Sequence, residues 1–274
     1  MDVLIVGAGA MGTWFGHAID ADVAFADVDP EAATAAADAV DGAVADLEGD
    51  DSYAVVCLAV PMRHVAAAVA DHAHRAERAL IDVSGVMTPP LEAMAEHAPE
   101  CERVSLHPLF APERAPGVVA VVRDDPGPTT DAVLDGLTER GNELRETTAA
   151  EHDEAMETVQ AATHAAALAF ALAVEPAPEG FETPVYDRLR TVVEQLTEGT
   201  PRVYADIQET FDGAAAVADA AADIAAADPD ELEALYRDAA TRWQPDVDGR
   251  TAAVDGDGAD ADASTTDRAG GDRP

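Results

Sequence analysis

Over the first 147 residues, short apolar runs alternate with Ala-rich stretches whose apolar positions recur at helical spacing. The candidate strands are 3–6, 23–26, 54–59, 79–83, 103–105, 118–122 and 143–146, of which 103–105 and 143–146 are the least apolar. Several are apolar throughout rather than at every second position, which predicts a parallel sheet covered by helices on both faces. Between the second and third runs, Asp29-Pro30-Glu31 reads as the N-cap and first two positions of a helix. After Thr148 the strand pattern stops. Thr148-Ala149-Ala150-Glu151 is a capping box that opens a helix to about Val174, where Pro176 and Pro178 end it. Thr183-Pro184 opens a second helix that closes near Gly199, Thr200-Pro201 a third, and Asp228-Pro229 a last one reaching Trp243. From residue 244 the chain is Asp, Gly, Ala, Ser and Thr without period, predicting a disordered acidic tail.

The first strand runs directly into Gly7-Ala8-Gly9-Ala10-Met11-Gly12 and then into a helix. This is the strand-turn-helix setting that gives a GxGxxG its meaning. Gly7 permits the tight turn, Gly9 lets a pyrophosphate approach the backbone, and Gly12 lets helix and strand pack closely. Asp27 stands twenty residues beyond Gly7, at the end of the second strand. A carboxylate there accepts hydrogen bonds from ribose hydroxyls and repels a 2′-phosphate, so the expected cofactor is NAD. The third long run ends at Ala59-Val60-Pro61, whose residues would border the same groove. The expected fold is therefore α/β, with an N-terminal Rossmann dinucleotide-binding domain over 1–147 and an all-helical domain over 148–243.

Charge narrows the partners. The chain carries 55 acidic and 16 basic residues, a net of −39, which argues against nucleic acid. Residues 246–274 hold eight Asp and three Arg, so −34 of that charge belongs to the first 245 residues. Every basic residue is Arg. The absence of lysine excludes Schiff-base chemistry, P-loop NTPases and protein kinases. An acidic, lysine-free chain with only 12 aromatic residues also predicts a halophilic protein adapted to molar salt. Cys57 and Cys101 lie 44 positions apart with no ligand spacing around them, so no metal is expected. The longest apolar run, residues 165–174, is too short to span a bilayer, and Met1-Asp2 lacks a basic leader, so the expected location is cytoplasmic, with no membrane contact.

His107 closes the fifth strand pattern within Ser105-Leu106-His107-Pro108-Leu109-Phe110-Ala111-Pro112. Open α/β sheets present their chemistry at such strand ends, and the prolines place His107 on a stiff turn. A neutral imidazole there can take the proton of a substrate alcohol as hydride leaves the same carbon, with a pH dependence in the ordinary imidazole range.

Together with the glycine loop, Leu58-Ala59-Val60-Pro61, Asp82-Val83-Ser84-Gly85-Val86, the His107-Pro108 segment, Glu151-His152-Asp153, Val159-Gln160-Ala161-Ala162-Thr163-His164 and Tyr204-Ala205-Asp206-Ile207 resemble the prephenate/arogenate dehydrogenase family, in order and interval, over residues 1 to about 240. The resemblance implies a helical dimerisation domain, hence a homodimer, and oxidative decarboxylation of prephenate to 4-hydroxyphenylpyruvate in tyrosine synthesis. It implies that His107 takes the proton of the ring C4 hydroxyl. The family pattern Asp-x-x-Ser-Val-Lys reads here as Asp82-Val83-Ser84-Gly85-Val86-Met87, so the family serine falls on Gly85 and its lysine on Met87. Ser84, one place early, is the candidate catalytic serine. The family's carboxylate-binding Arg falls on Gln195; Arg188 and Arg190, within two helical turns before it, are the leading replacements, with Arg114 and Arg202 behind them. Gln160 and His164, at i and i+4, share a helix face and are expected to border the substrate, whereas His152 reads as a packed interface histidine. Rival readings are an arogenate dehydrogenase, another two-domain NAD(P)-dependent dehydrogenase such as a β-hydroxyacid dehydrogenase, which relies on a lysine absent here, and a non-catalytic NAD-binding sensor.

Overall fold

The computed structural model describes residues 1–178 and 180–244. Eight strands form one sheet: β1 (Asp2–Val6), β2 (Asp22–Ala26), β3 (Ala43–Val44), β4 (Tyr53–Leu58), β5 (Ala76–Asp82), β6 (Glu102–Pro108), β7 (Val118–Asp125) and β8 (Glu143–Glu146). Their order is β3-β2-β1-β4-β5-β6-β7-β8, and the first six positions reproduce the doubly wound arrangement of a Rossmann domain. The added strand, β3, has two exposed residues and leaves no apolar pattern to read.

One expectation changes. The sheet is not wholly parallel: β7 runs antiparallel to β6, and β8 parallel to β7. Only residues 109–117 join β6 to β7, with a single 3₁₀ turn at Pro112–Arg114. A parallel return needs a crossover of about a dozen residues or more, so the chain doubles back.

The sheet is covered on both faces by helices, among them α1 (Ala10–Ala18), α2 (Pro30–Val40), α3 (Val65–His72), α4 (Thr88–His97) and α5 (Pro128–Glu139). Side chains of β1 alternate between the covers: Val3 and Ile5 join Phe15, Phe25, Ile81 and Leu134 on one face, and Leu4 and Val6 join Leu58, Leu80 and Met94 on the other. Each such side chain, fully buried, contributes roughly 1.5–3 kcal/mol. Asp29 caps α2 by accepting from the N–H of Glu31, with Pro30 at the first helical position.

Beyond β8 the described residues are helical: α6 (Ala149–Met156), α7 (Thr163–Ala173), α8 (Pro184–Thr197), α9 (Pro201–Thr210), α10 (Ala214–Ala226) and α11 (Pro229–Trp243). The Thr148/Glu151 capping box opens α6. A π-helical turn, Glu157–Ala162, joins α6 to α7 without a break. Met156, Ala161, Ile207 and Phe211 extend the second of the two sheet cores into this helical region. The chain forms two compact units, Met1–Ala218, which holds the residues of the site described below, and the segment from Asp219 onward. The tail predicted from residue 244 lies, apart from Gln244, outside the described residues. No helix among the described residues is long and apolar enough to cross a membrane.

Candidate active site

The glycine loop occupies the carboxyl ends of β1, β2 and β4. Gly7 has φ +102°, and a Cβ there would lie 2.4 Å from the Ala59 carbonyl oxygen. A Cβ on Gly12 would lie 2.0 Å from the Gly7 carbonyl oxygen, whereas one on Gly9 would meet nothing within 4 Å. Gly7 and Gly12 are thus required for packing, and Gly9 opens a cradle at the start of α1 where an anion can approach the backbone. Ala8 donates its N–H to Asp27 Oδ2 at 2.6 Å, and Asp29 donates to Asp27 Oδ1 at 2.8 Å. The carboxylate is therefore fixed, and its remaining lone pairs can still accept from hydroxyls. Ala8, Ala10 and Met11 fill the loop between the glycines, and Ala59 and Val60 lie against it as β4 ends, with Pro61 next in the chain.

Met62, next after Pro61, leads from this groove to the histidine. Its sulfur and His107 Nε2 lie 3.6 and 3.3 Å from the position a Gly85 Cβ would take. His107 sits within β6, paired with Ala120 of β7, rather than on a turn after the strand. The sheet holds it, and Pro108 is the strand's last residue. The ring is 8% exposed. Its Nδ1 is 2.9 Å from His152 Nε2, and its Nε2 is 3.2 Å from Gln160 Nε2. His152 Nδ1 is in turn 2.8 Å from Asp153 Oδ1. Asp153 also accepts the N–H groups of Met87 and Thr88, both at 3.0 Å, where α4 begins. Burial, reinforced by the neighbouring His152, pulls His107 down to about 3, so the imidazole is neutral at ordinary pH. Burial alone would raise Asp153, but the hydrogen bonds from His152 and Thr88 and from the α4 backbone hold it below the usual carboxylate range.

Ser84 is placed differently from expectation. Its hydroxyl donates to Asp82 Oδ1 at 2.7 Å, and its N–H to the same oxygen at 3.1 Å. No hydrogen bond joins Ser84 to His107. The residue against the imidazole is Gly85, whose φ of +91° disfavours any side chain, so no hydroxyl stands at the family's serine position. Asp82 is fully buried and pushed up to about 7 by that burial, against the Ser105 and Ser84 hydroxyls that lower it. Gln160, in the π turn, meets the imidazole through its side-chain amide. His164 instead stacks edge-on against Tyr204 with ring centres 5.0 Å apart, and its Nδ1 is buried without a hydrogen-bond partner. The i, i+4 argument presumed a regular helix, and the π turn at Glu157–Ala162 alters the angular step between them.

The α8 residues are not brought to His107. Arg188, Arg190 and Gln195 are all exposed, and Arg190 is engaged by Asp187 and Glu194 along its own helix. The arginines gathered in this region are Arg63, directly after Met62, and Arg202 on α9, which share the buried carboxylate of Asp206. Arg63 had no motif to mark it, because it follows the recognised strand end by only two residues. His152 and Asp153 were visible as a tripeptide, but no local pattern points them at β6.

A glycine cradle at the switch of a doubly wound sheet, with a buried neutral histidine near the end of β6, is the arrangement of a nucleotide-binding α/β protein. The sequence profile of the prephenate dehydrogenase nucleotide-binding domain matches residues 17–124. The chain is 32% identical over 235 residues, 78% of each chain, to 4-amino-4-deoxyprephenate dehydrogenase of Streptomyces pristinaespiralis. Its fold resembles prephenate dehydrogenase of Aquifex aeolicus, in a complex with hydroxyphenyl propionate and NAD+, at TM-score 0.65 and 17% identity over 93% of this chain and 98% of that one. It also resembles Synechocystis arogenate dehydrogenase, at TM-score 0.54 and 16% identity over 92% and 96%. The chain belongs to the prephenate dehydrogenase family and is an oxidoreductase of that family.

Proposed function

We propose that this protein is an NAD-dependent prephenate dehydrogenase in which His107 is the general base. The observation that carries the reading is the buried imidazole whose Nε2 faces Gln160 and the gap at Gly85 while its Nδ1 is held by His152. The glycine loop from Gly7 to Gly12, with Asp27 and Ala59–Pro61, holds the dinucleotide. Bound NAD supplies the hydride acceptor. As hydride leaves C4, His107 Nε2 takes the proton of the C4 hydroxyl, leaving a ring ketone opposite the C1 carboxylate. The C1–carboxylate bond then breaks, its electron pair aromatises the ring, and the C4 oxygen takes back the proton from His107. Prephenate dianion and NAD+ give 4-hydroxyphenylpyruvate monoanion, CO2 and NADH, with no net proton released.

A second reading is a C4-amino substrate, favoured by the Streptomyces relative and by the absence of a hydroxyl at position 85. Following NADH absorbance with prephenate, arogenate and 4-amino-4-deoxyprephenate in turn decides between them. Turnover of prephenate at the highest kcat/KM supports the first reading; preference for either of the others overturns it, and no turnover of any leaves a nucleotide-binding sensor.

Asp27 is expected to set the cofactor. Asp27→Ser should narrow the preference for NAD over NADP, because the repulsion of a 2′-phosphate is removed. A wild-type kcat/KM higher with NADP would contradict the assignment.

A dianionic substrate also needs fixed cations, and a bidentate guanidinium is the donor a lysine-free chain has. Arg63 and Arg202 fill this role, since Asp206 holds both beside the turn that carries Met62. Arg63→Gln and Arg202→Gln should raise KM for prephenate while sparing NAD affinity; unchanged KM in both returns the search to Arg188 and Arg190.

Residues 1–147 serve the nucleotide and residues 148–243 serve substrate and association. Exposed Leu172, Phe181, Val185 and Val192 on and between α7 and α8 support burial in a homodimer. Sedimentation at high salt tests this, and a monomer there rules it out. The cytoplasm is the expected site of such a biosynthetic enzyme, and fractionation of the source cell checks it.

A further inference from the structure

His107 is the last member of a chain of three buried or half-buried groups that runs from the start of α4 through α6 to β6. Asp153 is anchored first, by the backbone N–H groups of Met87 and Thr88. An ionised carboxylate only accepts, so His152 Nδ1, 2.8 Å from it, must carry a hydrogen. A neutral His152 then has a bare Nε2. That nitrogen can only accept, so the hydrogen between the rings belongs to His107 Nδ1, 2.9 Å away. His107 Nε2 is consequently the bare nitrogen, and the Gln160 amide N–H that meets it at 3.2 Å occupies the place of a donor. The opposite arrangement would turn a lone pair of His152 toward a carboxylate or set two lone pairs face to face, each a lost hydrogen bond in a buried place.

We propose that His152 and Asp153 are positioning residues that lock His107 as its Nδ1–H tautomer, so that Nε2 is always the proton acceptor. The inference rests on the general-base role of His107 given above. His152 is 3% exposed, and its two ring nitrogens meet His107 and Asp153, so it acts through His107. The charged and titratable neighbours of His107 are His152 and Asp153, both on α6. With no net proton released in the reaction, these residues need not conduct a proton to solvent. They orient the ring, and the carboxylate two hydrogen bonds away stabilises the imidazolium that exists between hydride loss and aromatisation. An Asp orienting a His in this way raises rate by fixing the tautomer rather than by taking the proton itself.

The test combines a tautomer measurement with kinetics. In ¹⁵N-labelled protein without substrate, His107 is expected as Nδ1–H with Nε2 bare, and Asp153→Asn should introduce the Nε2–H form. Asp153→Asn should also lower kcat by about 10² to 10⁴-fold, with KM and NAD affinity nearly unchanged. His152→Gln, whose amide oxygen can still accept from His107 Nδ1, should retain much more activity than His152→Leu. A wild-type Nε2–H tautomer, an Asp153→Asn enzyme with normal kcat, or equal loss in His152→Gln and His152→Leu would each overturn the proposal. Because the tautomer is read without substrate, it tests the relay even if prephenate proves not to be turned over, which would count against the proposed function instead.

Discussion

Replacing His107 by Asn is expected to lower kcat by about 10² to 10⁴ while NAD binding stays nearly unchanged. Hydride loss from C4 leaves positive charge on a carbon bearing a hydroxyl, so an imidazole accepting that proton stabilises the transition state more than the ground state. Asn keeps a hydrogen-bonding group in the space but cannot take the proton. The pH profile sharpens the expectation. The protonated ring is the inactive form, and with His107 held at about 3 that form appears only in strong acid. The wild-type kcat/KM is therefore expected to stay level through the ordinary imidazole range near 6.5, down to about pH 5, instead of falling there. A profile that falls with the ordinary imidazole value would show that His107 is hydrated in the working enzyme. Near-normal kcat in His107→Asn would reduce the residue to a structural role in β6.

Transfer to low salt is expected to unfold the protein or to dissociate the homodimer proposed above. The first 245 residues carry −34, and the structure shows how little of this is neutralised internally. Arg103 already lies between Asp124 and Asp125, and Arg123 between Asp131 and Glu146. Such pairs, whose carboxylates are all exposed, are worth about 1 kcal/mol at most. The surplus carboxylates repel one another over about 30 Å at 0.01 M salt and about 3 Å at 1 M. Circular dichroism and sedimentation in about 10 mM against about 2 M KCl provide the check, since those concentrations span that range of screening. Unchanged spectra and sedimentation at the low concentration would end the halophilic reading.

Much of the architecture was legible because its causes are local. Apolar runs of four to seven residues specify strands buried on both faces, Pro after Asp or Thr specifies helix starts, and a GxGxxG between strand and helix has one conformation that suits it. Asp27 was found for the same reason: its place is fixed by the length of one β-α-β unit. The sequence alone therefore determined the doubly wound sheet, the cofactor cradle, the helical second half and the position of His107 in the chain. The reversal of β7 was decided by the length of the connection from β6, which an apolar pattern does not register. Ser84 was misplaced by a single residue, and in a loop one residue decides whether a hydroxyl meets Asp82 or the imidazole. His152 looked like packing because its partner is 45 positions away and on another element. Which side chains touch His107 depended on how α6 and the π turn after it dock on the sheet. That docking is a long-range packing outcome, and hydrogen bonds across it have no sequence period to announce them.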